Sequence, residues 1–192
     1  MKAAVFLDRD GTIIEDVGYL HEFDQIAFYP WATDAIRCLN RAGLPVVVIT
    51  NQAGVARGLF SEEFVVETHE RLSRTLAEGG AHVDAYYYCP HHPAGKVVEY
   101  AKACDCRKPA RGLVDRAARD LGLDPGRSFV VGDKWLDVGV ARASGARGVL
   151  VRTGSGAWEE AHKRPTDPSA DVIVDNLAGA VSWLLLNLKS AI

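Results

Sequence analysis

Missing from these 192 residues is any apolar run that could cross a bilayer. The longest near the C-terminal end, Val181 to Leu186, falls far short of the ~20 residues a spanning helix needs. A secretory leader is not expected either, because MKAAVFLDRDG reaches charge after five apolar residues. There is no basic excess: the net charge is -3, which argues against a nucleic-acid surface. Internal repeats and low-complexity linkers are lacking as well. Cysteine is scarce, at four residues, and a chain without leader or span is expected in the cytoplasm, where thiols stay reduced. What remains is an ordinary composition, 48% hydrophobic and 24% charged, whose length suits one domain over 1–192 and, by default, a monomer.

Short apolar runs alternate with helical patterns. Strands are expected at Ala3–Leu7, Pro45–Thr50, His82–Tyr88, Ser128–Val131, Ala146–Val151 and Asp171–Val174. Between them, Trp31–Ala42 carries apolar residues at helical spacing and stops at Gly43, and Ser61 caps a helix running to about Glu78. Further helices are expected over Gly112–Leu121, Leu136–Ala143 and Leu177–Leu188. Such alternation implies right-handed crossovers and an α/β fold with a doubly wound, largely parallel, Rossmann-like sheet.

In sheets of this kind the ligand crevice lies beyond the carboxyl ends of the strands. There the sequence places Asp8-Arg9-Asp10-Gly11-Thr12, Thr50-Asn51-Gln52, Cys89-Pro90-His91-His92 and Gly132-Asp133-Lys134. Asp8, Asp10 and Asp133 together form a hard-oxygen set suited to Mg²⁺. Taken singly, Asp10 also fits a turn with Gly11, and Asp133 a helix cap. Thr50, backbone N–H groups and Lys108 can hold the oxygens of a phosphoryl group. A carboxylate attacking phosphorus would give an aspartyl-phosphate, and the acid two residues on could protonate the leaving oxygen and then activate water.

The cysteines make a second constellation. Cys89 and His91 form C-x-H, and after a spacer of twelve residues come Cys104 and Cys106 as C-x-C. Three thiolates and an imidazole suit a closed, structural tetrahedral Zn²⁺ site; buried thiols or a disulfide are the alternatives. Zinc would order the loop 89–106, which is short of apolar residues, and Cys106 runs directly into Arg107-Lys108, so the metal would place the cations. Cys38, on an amphipathic helix, is expected in the core.

Four motifs resemble those of the haloacid dehalogenase superfamily of phosphatases: FLDRDGT at 6–12, VVVIT at 46–50, RKP at 107–109 and VGDKWLDV at 131–138. The resemblance runs from about residue 3 to 175. It implies Asp8 as nucleophile, Asp10 as general acid/base, and Thr50 and Lys108 on the transferring phosphoryl group. Asp8, the backbone carbonyl of Asp10, and Asp133 would hold Mg²⁺. ITNQAGVARG (49–58), CPHHP (89–93) and CDCRKP (104–109) further resemble the zinc-containing branch of heptose 1,7-bisphosphate phosphatases and their histidinol-phosphate phosphatase relatives. That branch implies a capless enzyme taking the C7 phosphate from a sugar bisphosphate in nucleotide-heptose biosynthesis. Substrate contacts would come from Asp16, Tyr19, Asn51, Gln52, Arg107 (on the remaining phosphate) and Lys134. His91, not His92, matches the branch's zinc ligand. The long spacer favours the heptose reading over histidinol phosphate. A phospho-accepting receiver module on a similar sheet fits poorly, since the second strand ends in Thr50-Asn51 and offers no acceptor Asp.

Other residues are expected to be structural. Tyr86-Tyr87-Tyr88 reads as strand packing, Trp31, Trp158 and Trp183 as packing or surface anchors, and Gly154-Ser155-Gly156 as a flexible loop. Trp135 fits either the crevice border or the core, and Arg57 either a substrate contact or a turn.

Overall fold

In the computed structural model, residues 1–188 are described. Six parallel strands, β1 (Val5–Leu7), β2 (Val46–Asn51), β3 (Ala85–Cys89), β4 (Phe129–Gly132), β5 (Arg147–Val151) and β6 (Val172–Val174), form one sheet in the order β3-β2-β1-β4-β5-β6. The first strand to be made lies at the centre, pairing Leu7 with Val48 on one side and Val131 on the other. Chain order runs outward in both directions from β1 and β4. Their adjacent carboxyl ends are therefore the switch point where such sheets open a crevice. The Asp8 N–H donates to the Val131 carbonyl at 2.9 Å, fixing the two ends side by side.

The pleat explains the layers. Val5 and Leu7 face a cluster with Ile36, Leu39 and Leu184, from helices α1 (Ala32–Arg41) and α7 (Leu177–Asn187). Ala4 and Phe6 face the other side, against Leu113, Val114 and Ala117 of α4 (Gly112–Leu121) and Val140 and Ala141 of α5 (Trp135–Ser144). The doubly wound expectation holds. The Ser61 hydroxyl accepts from the Phe64 N–H to start α3 (Glu62–Glu78), as its sequence implies.

Two short helices lacked enough turns to show a period: α2 (Ala53–Arg57) and α6 (Gly156–Ala161). The glycine stretch expected to be a flexible loop thus leads straight into α6. Cys38 is exposed, not buried, because it sits off the stripe of Ala32, Ala35, Ile36 and Leu39. Trp135 is buried, and its indole N–H donates to the Glu159 carbonyl at 2.8 Å, which settles it as core. The tyrosines pack as expected; Tyr86 stacks on His69 with ring centroids 4.6 Å apart. Among the described residues no helix is long and apolar enough to cross a membrane. Over the crevice, residues 8–31 and 90–111 contribute loops with one short 3-10 turn, Phe23–Gln25, and no cap.

Candidate active site and metal centre

Asp8, Asp10, Thr50, Gln52, Lys108 and Lys134 converge on one cleft of about 380 Å³, joined by Asp16, Tyr19, Asn51 and Arg107. Of the expected crevice residues, Gly11, Thr12, Gly132, Asp133 and the Cys89–His92 stretch do not line it. Asp133 lies fully buried behind it.

Lys108 is the hub. Its Nζ lies 2.8 Å from Asp8 Oδ1 and 2.6 Å from Asp137 Oδ1, and donates to the Ile49 carbonyl at 3.0 Å. Burial disfavours its ammonium, yet Asp137 and Asp8 outweigh that and raise its pKa. Asp8 shows the opposite balance: burial pushes its carboxyl up to about 6 against the pull of Lys108. Both of Asp8's donors, Lys108 and the Arg9 N–H at 2.7 Å, meet Oδ1, which leaves Oδ2 without a donor.

Asn51 lines the cleft and also holds the neighbouring Lys108 peptide. Its Oδ1 accepts from the Lys108 N–H at 3.0 Å and its Nδ2 donates to the Lys108 carbonyl at 3.2 Å, so the side chain clamps the Lys108 peptide. Gln52 Nε2 donates to Thr50 Oγ1 at 2.8 Å and to Asp10 Oδ2 at 3.0 Å. Asp16 takes the Gly18 N–H on one oxygen and Lys134 Nζ, 2.9 Å away, on the other. Burial alone would raise Asp16; the Lys134 contact outweighs it and holds the carboxyl below its usual range. Tyr19 is part-exposed, with the Arg57 guanidinium 5.7 Å from its ring centroid. Arg57 therefore packs on the loop that borders the cleft.

Carboxylate oxygens of Asp8, Asp133 and Asp137 lie within 4.8 Å of one another. Burial and the nearby Asp8 charge push Asp133 up to about 8. Its Oδ2 accepts from the Ser155 N–H at 2.8 Å, while its Oδ1 is buried without a partner. An orphaned carboxylate oxygen among like charges fits a divalent cation. Asp10's side chain stands outside this trio, on Arg9 and Gln52, which leaves its backbone carbonyl as the atom to offer.

Glycine shapes the wall behind Asp133. A Cβ on Gly11 (φ 81°) or on Gly154 (φ 54°) would overlap Asp133 Oδ2. Gly154→Ala is therefore expected to displace that carboxylate and raise the Mg²⁺ concentration for half-activation by roughly 10- to 100-fold. A titration of activity against Mg²⁺ checks it, with unchanged half-activation as the contrary result.

The thiols behave as a ligand set. Sγ of Cys106 lies 3.1 Å from that of Cys89 and 3.3 Å from that of Cys104; Cys89 and Cys104 are 3.5 Å apart. His91 Nδ1 lies 3.4 Å from Cys106 Sγ and 3.7 Å from Cys89 Sγ. Those separations are too long for S–S bonds and near the ~3.8 Å edge of a tetrahedron with zinc–sulfur bonds of about 2.3 Å. Hydrogen bonding with Cys89 holds the Cys106 thiol down at about 5, while Cys89 itself is pushed up. The donor set fits zinc. The His91 carbonyl accepts from Arg107 Nη1 at 3.3 Å, tying the loop to a cleft cation.

A family model described as HAD-hydrolase-like matches residues 105–180. Over 99% of this chain and the whole of its own length, D-glycero-beta-D-manno-heptose-1,7-bisphosphate 7-phosphatase of Pasteurella multocida (strain Pm70) is 41% identical. The chain belongs to this family of HAD-like heptose-bisphosphate phosphatases. Its counterpart in Escherichia coli (strain K12) is 43% identical over 91% of this chain and 90% of that one. A crystal structure of the family from B. bronchiseptica, complexed with magnesium and phosphate, superposes with a TM-score of 0.86 at 34% identity, covering 97% of this chain and 99% of that one. The D,D-heptose 1,7-bisphosphate phosphatase of Burkholderia thailandensis follows at 0.70 and 30%, covering 96% and 99%.

Three contributors to this family site went unassigned in the sequence. Asp137 lies within VGDKWLDV, in the first turn of α5, four residues after Asp133. Gly154 carried only a loop signal. Arg9, between two acids, carries no signal of its own in the sequence.

Proposed function

We propose that this chain removes the C7 phosphate of D-glycero-β-D-manno-heptose 1,7-bisphosphate and leaves the 1-phosphate. One observation carries the choice of a bisphosphate. Among the cations lining the cleft, Arg9 is paired with Asp10, Lys108 with Asp8 and Asp137, and Lys134 with Asp16. Among the described residues Arg107 has only the His91 carbonyl as a partner, so its charge is uncompensated there. A second phosphate supplies the missing anion; histidinol phosphate, with one phosphate, does not. The relatives' names support the β anomer.

In this reading Asp8 Oδ2 attacks the C7 phosphorus, and the phosphorus–oxygen bond to the sugar breaks. Asp10 gives its proton to that oxygen. Water then attacks the aspartyl-phosphate, its proton passing to Asp10, which regenerates the Asp8 carboxylate and releases phosphate. Thr50 and Lys108 hold the phosphoryl oxygens, while Asp16, Tyr19, Gln52 and Lys134 line the sugar side. Asp8, Asp133 and the Asp10 carbonyl would hold Mg²⁺, which when bound offsets the charge gathered on the phosphoryl oxygens. Cys89, His91, Cys104 and Cys106 would hold structural Zn²⁺. A reduced thiol cluster suits the cytoplasm, and the capless fold a monomer.

A panel of both heptose 1,7-bisphosphate anomers, histidinol phosphate and fructose 1,6-bisphosphate tests the substrate. The β-heptose is expected to give the highest kcat/KM; a higher value for histidinol phosphate overturns the reading. Cys104→Ser is expected to drop zinc from about one equivalent and raise KM for the bisphosphate about 10-fold or more, through loss of Arg107's anchor. Metal analysis with steady-state kinetics checks both.

A further inference from the structure

Among the described residues Arg9 is the largest fully buried side chain, yet it lines the cleft. A guanidinium in that position must answer to something. Its Nε and Nη2 both donate to Asp10 Oδ1, at 3.1 and 3.0 Å, and Nη2 also reaches Oδ2 at 3.0 Å. Its remaining arm, Nη1, lies 3.4 Å from Nε2 of His69 on α3. His69 is itself buried, stacked on Tyr86, and Tyr86 Oη accepts from Ser73 at 3.1 Å. Burial first, then the Arg9 charge, hold the His69 imidazole down at about 3. It is therefore neutral, and its Nε2 can accept from Arg9.

Neighbouring residues on a turn seldom meet by bidentate pairing, since adjacent side chains do not share a face. Here the far end of the guanidinium meets His69 of α3. We propose that Arg9, braced by His69 on α3, is a positioning residue that fixes the direction of the Asp10 carboxyl toward the leaving oxygen. Gln52 completes the grip on Oδ2. Without the brace, Asp10 can rotate about its side-chain torsions and the proton is no longer delivered in line. The inference rests on the phosphatase reading above and on Asp10 as its acid.

The step that depends on direction is proton donation to an alkoxide, which cannot leave unaided. An aryl phosphate such as p-nitrophenyl phosphate releases a phenolate that needs no proton. The experiment measures the rate of phosphoenzyme formation by rapid quench, with heptose bisphosphate and with p-nitrophenyl phosphate, in wild type, His69→Leu, His69→Gln and Arg9→Lys. His69→Leu and Arg9→Lys are expected to slow the sugar-phosphate step roughly 10- to 100-fold, with KM unchanged and the aryl-phosphate step within about twofold. His69→Gln, which keeps an acceptor, is expected to recover most of the loss. Equal losses on both substrates, a change confined to KM, or no change would overturn the proposal. If His69→Leu does not fold, Arg9→Lys decides by the same ratio. Failure of wild type itself on heptose bisphosphate would instead strike the substrate reading, and any alkyl phosphate it does turn over then serves as the slow-leaving arm.

Discussion

Asp8→Asn should retain its fold and lose its turnover. The amide keeps the shape of the side chain but has no anion to attack phosphorus. Turnover of the bisphosphate is expected to fall by at least about 10⁴-fold, in line with the loss of an essential group from a catalytic unit. No phosphoenzyme should accumulate. Stability moves the other way. Burial holds Asp8's carboxyl at about 6, above its ordinary value of 3.8, so the folded state binds that proton more tightly than the unfolded chain does. The charged form is thus a burden on folding that is absent below pH 3.8, grows between there and about 6, and is full at pH 7. Metal-free Asp8→Asn is expected to melt no lower than wild type at pH 7.5, and the two to converge at pH 4. Calorimetry across that range checks the sign. Residual phosphoenzyme in the variant would remove Asp8 from its role.

Lys108→Met is expected to be the most destabilising single change in the site. One buried ammonium offsets two buried carboxylates, Asp8 and Asp137, both within 3 Å of it. Taking it away strands both. Removal of one partner from a buried ion pair typically costs about 3–5 kcal/mol. Part of that is recovered at low pH, where the two acids can protonate, so the deficit should be larger at pH 8 than at pH 5. Adding Asp137→Asn to Lys108→Met is expected to restore a good part of the stability and none of the activity. Denaturant melts of the single and double variants measure it; strictly additive losses would contradict the pairing.

How much of this was readable beforehand depended on the range of the signal. The six strands and their alternation with helices showed because apolar runs and helical periods are local. So did the ligand spacing of Cys89, His91, Cys104 and Cys106, and the acids at strand ends. The clamp of Asn51 on the Lys108 peptide had no local signal. That peptide lies 57 residues away, and only the pairing of β2 with β3 brings the two loops together. Asp137 was passed over since an acid in a first helical turn already has a use at the helix dipole. Cys38 was put inside on residue type alone, although it lay one position before Leu39 on the buried stripe. Gly154 had no legible partner at all, because what it makes room for is Asp133, and no pattern within a dozen residues records that.

The position of β1 has a consequence for how the protein is made. The ribosome delivers β1 first, β2 some forty residues later, and β4 not until residues 129–132. Through most of synthesis β1 can pair on one side only, and its Val5-Phe6-Leu7 edge stays open. An unpaired apolar edge invites pairing with another chain. A nascent or prematurely terminated product ending before residue 129 is thus a natural client for chaperones and proteases, and the acids destined for one cleft stay apart until the sheet closes.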